Sequence, residues 1–146
     1  MTSVFVYGTL LPGEHNAAVA TRVAEPVVLS ARLRGFRLYH LEPEAYPGVV
    51  PGEPDDVVHG AVLTYAPEAW PTVLVYLDEL EGLHDVPPLY RREVVQVETP
   101  DGLATVWTYV YERIGRLEEP GARFVAGGDW RSVQPRLRPS RRFPPF

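Results

Sequence analysis

Proline and glycine cut this chain into short pieces. Sixteen prolines and twelve glycines fall among its 146 residues. Proline lacks the N–H that a helix interior needs, and glycine loses more freedom on ordering than any other residue. The spacing therefore predicts short strands joined by turns, with few helices. Val4-Phe5-Val6-Tyr7 is an apolar run ending at Gly8, which reads as a buried first strand. Asn16 stands where it can cap a short helix over residues 17–23. Residues 27–33 and 36–41 read as two strands broken at Gly35. The Pro/Gly-rich stretch 42–54 leaves room only for a brief edge strand at Val49-Val50. Residues 57–65 form the next strand, and 72–80 a helix that tolerates Pro71 in its first turn.

The clearest local pattern follows. Residues 91–99 and 103–111 alternate apolar and polar side chains on either side of Pro100-Asp101-Gly102, the pattern of a hairpin with a tight turn. Strands outnumber helices and the order is neither repeating βαβ nor all-β. The expected class is α+β, with a mainly antiparallel sheet able to close into a barrel. No internal repeat or linker divides the chain, and its length suits one domain.

Two absences narrow the chemistry. With no cysteine there are no disulfides, thiolate metal sites or cysteine nucleophile. All fourteen basic residues are arginine, so a Schiff-base lysine, a P-loop lysine and a Ser–Lys dyad are excluded. Residues 1–130 carry nine arginines against nineteen acidic residues, a net −10; residues 131–146 carry five arginines and no acid, a net +5. The expected organisation is one domain over 1–130 followed by an Arg/Pro-rich tail, 131–146, lying on its own acidic body. An acidic body argues against a nucleic-acid surface, which needs clustered cations. No stretch approaches the ~20 apolar residues of a membrane span. Met1-Thr2-Ser3-Val4 lacks the basic and apolar regions of a secretion signal, and a cytoplasmic location is expected.

Two places can carry chemistry. On a helix, Leu80, Val73, Leu77 and Leu74 cover an arc of about 120°, and Glu81 falls inside it, while Asp78 and Glu79 fall outside. Either the helix stops before Glu81, Gly82 caps it and Glu81 is solvated, or Glu81 points into an apolar pocket. There desolvation favours its neutral form and suits it to proton transfer. The other place is the loop Tyr7-Gly8-Thr9-Leu10-Leu11-Pro12-Gly13-Glu14-His15-Asn16. Gly8 lets a ligand approach the backbone, the following N–H groups can form an anion nest, and the next helix start can face it. A strand–Gly turn is also ordinary architecture. The four histidines have no metal-ligand spacing, and no serine stands in a Gly-x-Ser-x-Gly setting. Trp70, Trp107 and Trp130 read as packing, and Arg91-Arg92 as partners for acidic side chains rather than for a substrate carboxylate.

Taken together, the motifs resemble the γ-glutamylcyclotransferase-like family, which includes the γ-glutamylamine cyclotransferases and the plant avirulence-induced proteins. The resemblance runs from Val4-Phe5-Val6-Tyr7-Gly8-Thr9-Leu10, with Gly13 and Asn16, through Tyr46-Pro47-Gly48-Val49-Val50 and His59-Gly60-Ala61-Val62-Leu63. It continues through Leu77-Asp78-Glu79-Leu80-Glu81-Gly82, Tyr90-Arg91-Arg92, Trp107-Thr108-Tyr109-Val110-Tyr111 and Gly128-Asp129-Trp130. It covers about residues 3–130. Segment 83–89 looks longer than the family's usual link, and the tail has no counterpart in it.

The resemblance implies a small mixed, mainly antiparallel β-barrel with a cavity and a few short helices, needing no metal and no organic cofactor. It puts the catalytic glutamate at Glu81 and substrate binding at Tyr7, Gly8, Thr9 and Leu10, with Tyr90 beside Glu81. The implied reaction is intramolecular: the α-amine of a small γ-glutamyl substrate attacks its own γ-carbonyl, giving 5-oxoproline and a free amine. Two alternatives keep the same fold: an enzyme cleaving a different γ-glutamyl-tagged metabolite, and a binding module without turnover. No nucleic-acid or membrane partner is expected, and the oligomeric state, a homodimer being one option, stays open.

Overall fold

The predicted hairpin is the longest feature of the computed structural model, which describes residues 1–133. Strand β6 (Tyr90–Thr99) pairs antiparallel with β7 (Gly102–Tyr111) from Tyr90↔Tyr111 to Thr99↔Gly102. At the turn, the Asp101 N–H donates to the Thr99 hydroxyl oxygen at 3.1 Å, and that hydroxyl donates to the Gly102 carbonyl at 2.7 Å. Three further strands complete a closed barrel in the order β1-β5-β2-β6-β7: β1 (Ser3–Val6), β5 (Val57–Thr64) and β2 (Val27–Arg34). Among the described residues only β1 and β7 run parallel. The fold is thus α+β, with a small mixed barrel.

Closure between β2 and β6 rests on one paired position, Arg32↔Glu98. There the Glu98 carboxylate meets Arg32 at 3.2 Å and Arg34 at 2.8 Å. A second sheet, in the order β4-β3-β8, combines β3 (Phe36–Leu41), β4 (Tyr46–Pro51) and β8 (Ala122–Phe124). The barrel core includes Phe5, Val6, Leu33, Leu63, Leu77, Val97 and Val106. Thr108 is buried among them because its hydroxyl donates to the Phe5 carbonyl at 3.0 Å.

Three local expectations are corrected. The strand expected only at Val49-Val50 extends over Tyr46–Pro51 and is buried along nearly its whole length. Its proline and glycine permit this. Pro47 is paired on the β3 side alone, and a side chain at Gly48 would lie 2.9 Å from the Tyr111 Cβ and Cγ atoms. Helix α1 spans only Ala17–Thr21, and Asn16 makes no side-chain cap. The Asn16 amide instead donates across the preceding loop to the Thr9 hydroxyl at 3.0 Å, a competition open to short polar side chains. Helix α2 (Trp70–Leu80) starts two residues earlier than expected, with Pro71 in its first turn. Of the tail, only residues 131–133 fall among the described residues. The Arg131 guanidinium lies 3.4 Å from the Glu14 carboxylate and donates to the Pro12 carbonyl.

Candidate active site

Glu81 is the residue at which α2 stops. Its N–H donates to the Leu77 carbonyl at 2.9 Å, so the chain is still helical in geometry there. Gly82 then takes φ +65°, its N–H donates to Glu79 at 3.2 Å, and the Leu83 N–H donates to Asp78 at 3.2 Å. This is the Schellman arrangement, which satisfies the orphan carbonyls of a helix end. It requires glycine twice over, because a Cβ at residue 82 would also meet the Asp85 carboxylate at 2.7 Å. The helix therefore ends before Glu81 and Gly82 follows it in the left-handed conformation. Glu81 is nevertheless fully buried, at 0% exposure, and it lies on the side that holds Val73 and Leu77.

Three buried tyrosines surround it electrostatically. Burial raises the Tyr7 hydroxyl well above the usual phenol range, and the Glu81 charge raises it further, against a backbone hydrogen bond from Val49. Tyr90 is raised by burial, then by Tyr7, then by Glu81. Tyr109 is raised by burial, then by its hydrogen bond to Asp78 and the charge of that carboxylate, then by Glu81; the Arg92 cation opposes this. Each hydroxyl is thus kept protonated and donates. Tyr7 donates to the Tyr109 carbonyl at 2.7 Å, Tyr90 to the Pro47 carbonyl, and Tyr109 to Asp78 Oδ1 at 2.6 Å. Strand β4 closes over this group: Pro47 and Val49 hold Tyr90 and Tyr7, and Gly48 packs on Tyr111. The Tyr90 and Tyr111 rings meet edge to face at 5.3 Å.

Asp78 was expected outside the core arc and is buried, at 8% exposure. The helical wheel counts only apolar neighbours on α2 itself, and what buries Asp78 comes from the hairpin. Arg92 Nε of β6 lies 2.9 Å from Asp78 Oδ1, and the Tyr109 hydroxyl of β7 donates to the same atom. The Arg92 guanidinium also lies over the Trp107 ring, 5.1 Å from its centre. Arg91 pairs instead with Glu93 and Glu112, each at 3.2 Å.

The Tyr7–Asn16 loop folds back on itself. The Leu11 N–H donates to Gly8 at 3.0 Å, the Asn16 N–H to Thr9 at 2.7 Å, and the Ala17 N–H to Glu14 at 3.1 Å. The expected contribution of the following helix start to an anion nest is therefore not made. That helix has five residues, and its first N–H bonds within the loop. Gly8, Thr9 and Leu10 are buried, and they directly follow Tyr7 of the Glu81 group. Two surface cavities lie elsewhere. One, of about 490 Å³, is lined by Ser30, Arg32, His59 and Glu98; another, of about 610 Å³, by Pro87, Pro88, Arg113 and Arg116.

A second buried group lies in the other sheet. The Trp130 indole N–H donates to His40 Nδ1 at 2.9 Å, and His40 Nε2 lies 2.6 Å from Glu42 Oε1. An Nδ1 that accepts leaves the ring proton on Nε2. Among the described residues no group of three or more His, Cys, Asp or Glu is arranged to hold a metal ion. Among the described residues no helix is long and apolar enough to cross a membrane.

Chemically, the Glu81 group divides its proton-active members. The tyrosines hold their protons tightly, and Asp78 is engaged by Arg92 and Tyr109. Glu81 is the fully buried carboxyl group beside them.

Comparison with known proteins points one way. The family model described as "Gamma-glutamyl cyclotransferase, AIG2-like" matches residues 4–132. A Vibrio cholerae protein named "Putative gamma-glutamylcyclotransferase" is 35% identical over 134 residues, covering 87% of this chain and 93% of that protein. "Protein AIG2 A" of Arabidopsis thaliana is 32% identical over 102 residues, covering 68% of this chain and 52% of its own length. Among solved structures, an AIG2-like protein of Mus musculus superposes with a TM-score of 0.66 at 22% identity, covering 97% of each chain. At that identity it shows the fold alone.

Proposed function

Because the chain belongs to the gamma-glutamyl cyclotransferase, AIG2-like family, we propose that it converts a small γ-glutamyl amine or peptide into 5-oxoproline. The α-nitrogen of the substrate attacks its own γ-carbonyl carbon, a C–N bond of the new ring forms, and the original amide C–N bond breaks. In becoming the lactam N–H the α-ammonium loses two protons. Glu81 carries one to the leaving nitrogen, and the second makes the released amine an ammonium, so atoms balance with no redox partner and no second substrate. The observation that supports this is the full burial of Glu81 at the end of α2, among tyrosines too strongly protonated to act as bases.

General acid–base help of this kind contributes about 10²–10⁴-fold. Folding the glutamyl chain into its ring-closing shape contributes up to roughly 7–11 kcal/mol, the larger share. In this reading Tyr7, Gly8, Thr9, Leu10 and Tyr90 bind the substrate, with the amides of 8–10 directed at its carboxylate or at the developing oxyanion. The enclosed Glu81 also fits a reaction whose nucleophile belongs to the substrate, because bulk water would compete with the internal amine. The test is incubation of the protein with a panel of γ-glutamyl amines and γ-glutamyl amino acids, followed by assay of 5-oxoproline. Product from at least one member is expected. Binding without product from any member would overturn the reading in favour of a binding module of the same fold.

A further inference from the structure

We propose that the cavity beside Pro87, Pro88 and Ile114 receives the leaving group of the substrate, and that Arg113 selects γ-glutamyl amino acids, whose leaving amine carries a carboxylate, over plain γ-glutamyl amines. This inference rests on the cyclotransferase reading above and names the substrate class within it. The cavity, of about 610 Å³, is tied to the end of α2 by two backbone hydrogen bonds. The Leu89 N–H donates to the carbonyl of Gly82, the residue after Glu81, at 3.1 Å, and the Glu112 N–H donates to the Leu89 carbonyl at 2.9 Å. Segment 83–89 is therefore a loop rooted at Gly82. Its Pro87 and Pro88 face residues 112–116 across the cavity. Hydrogen-bonded chains lie roughly 4.8 Å apart, which puts this wall about 10 Å from the end of α2. Two extended residues span up to ~7 Å, and the extra carbons of a γ-linkage lengthen this, so one substrate can touch both.

The charges of the cavity are paired with one exception. Glu112 meets Arg91 at 3.2 Å, Arg116 meets Glu44 at 2.9 Å, and Glu119 lies 3.8 Å from Arg116. Arg113 donates to the Pro87 carbonyl at 2.9 Å, and among the described residues no carboxylate lies within ion-pair distance of it. A guanidinium holds several N–H groups in a fixed fork, and its best partner is a carboxylate. Arg113 is also anchored through its backbone, whose carbonyl accepts the Arg116 N–H at 3.0 Å where the 3-10 turn Ile114–Glu118 begins. Around it Pro87, Pro88 and the exposed Ile114 offer apolar surface. A cation beside apolar walls fits an amino acid with an apolar side chain better than it fits a simple amine. The cation also reaches inward. Tyr111 packs edge to face on Tyr90 at 5.3 Å; burial raises its hydroxyl, and Arg116 and Arg113 oppose that rise.

The experiment uses a matched pair: γ-glutamyl-leucine, and the γ-glutamyl amide of 3-methylbutylamine, which is the same leaving group without its carboxylate. It measures kcat and KM for 5-oxoproline release from each, in wild type, Arg113→Gln and Arg113→Glu, with Tm recorded beside them. Wild type is expected to favour the acid in kcat/KM by about tenfold, the worth of one hydrogen-bonded charge, and to favour it less as salt is raised. Arg113→Gln should remove most of that preference, with KM for the acid carrying the change, because the contact is made in ground and transition states alike. Arg113→Glu should invert it. An exposed side chain at this position leaves Tm close to wild type, and should one variant fail to fold, the other decides.

Equal kcat/KM for the pair in wild type, or an acid preference that survives in the variants, would overturn the inference and leave the cyclotransferase reading standing. So would turnover of other γ-glutamyl compounds with neither member of the pair accepted. No 5-oxoproline from any compound would overturn both.

Discussion

Two regions of this molecule bury a titratable side chain completely, and they do so in opposite ways. His40 sits in the three-stranded sheet, where Trp130 donates to one ring nitrogen and Glu42 meets the other. Both of its polar atoms are engaged by groups that also hold the chain together, for Trp130 ties the end of the described chain to β3. Glu81 sits at the end of α2, facing three tyrosines that keep their protons and a second carboxyl group that has taken the available cation. One arrangement fixes a proton in place. The other, in the proposed function, holds the carboxyl group that exchanges one. Burial alone does not mark a site; what matters is whether the surroundings hold the group in one state.

The largest stability effect should come from the site region. Arg92→Leu leaves Asp78 buried without its cation and should cost about 2–3 kcal/mol. This is less than for a fully enclosed pair, because the Arg92 side chain is 27% exposed. Chemical denaturation measures it, and kcat should fall as well. Trp130→Phe removes the donor to His40 and leaves Nδ1 buried, costing about 1–2 kcal/mol. Here kcat per folded molecule should not change; if it does, the two regions are coupled and the contrast breaks. Gly82→Ala forces a side chain into φ +65° against Asp85. It should cost about 1–2 kcal/mol and lower kcat, since it shifts the residue after Glu81.

The smallest effect is a pH dependence. Tyr7, Tyr90 and Tyr109 are raised in the folded state, so unfolded tyrosine gives up its proton first as pH rises. Their contribution is complete below the ordinary phenol value, about 10, and declines above it. Denaturation midpoints from pH 7 to 11 should be level to about pH 9.5 and then fall, less steeply in Tyr109→Phe.

Much of this was legible because it is local. The hairpin declares itself by period-two alternation around Pro100-Asp101-Gly102, and both the pattern and the turn lie within some twenty residues. Glu81 was visible as a carboxylate inside an apolar arc, although the wheel left open whether the helix end would expose it. What escaped depends on distant partners. Asp78 is buried by Arg92 and Tyr109, contributed by the hairpin. Pro47 and Gly48 look like strand breakers until Tyr90 and Tyr111 are seen to require a carbonyl and an open space there. Asn16 has the chemistry of a helix cap, and only the folded loop shows that Thr9 claims its amide. Long-range polar contacts leave no periodic trace, so the electrostatic half of the site is the part hidden from the sequence.

The central claim is that Glu81 moves the proton while the rest of the pocket binds and folds the substrate. The direct measurement sets 5-oxoproline release beside calorimetric binding for wild type and Glu81→Gln, using whichever γ-glutamyl compound the wild type turns over. The account predicts a Kd within a few-fold of wild type, an unchanged Tm, and a turnover rate lower by about 10²–10⁴-fold. Equal rates of release from the two proteins would contradict it.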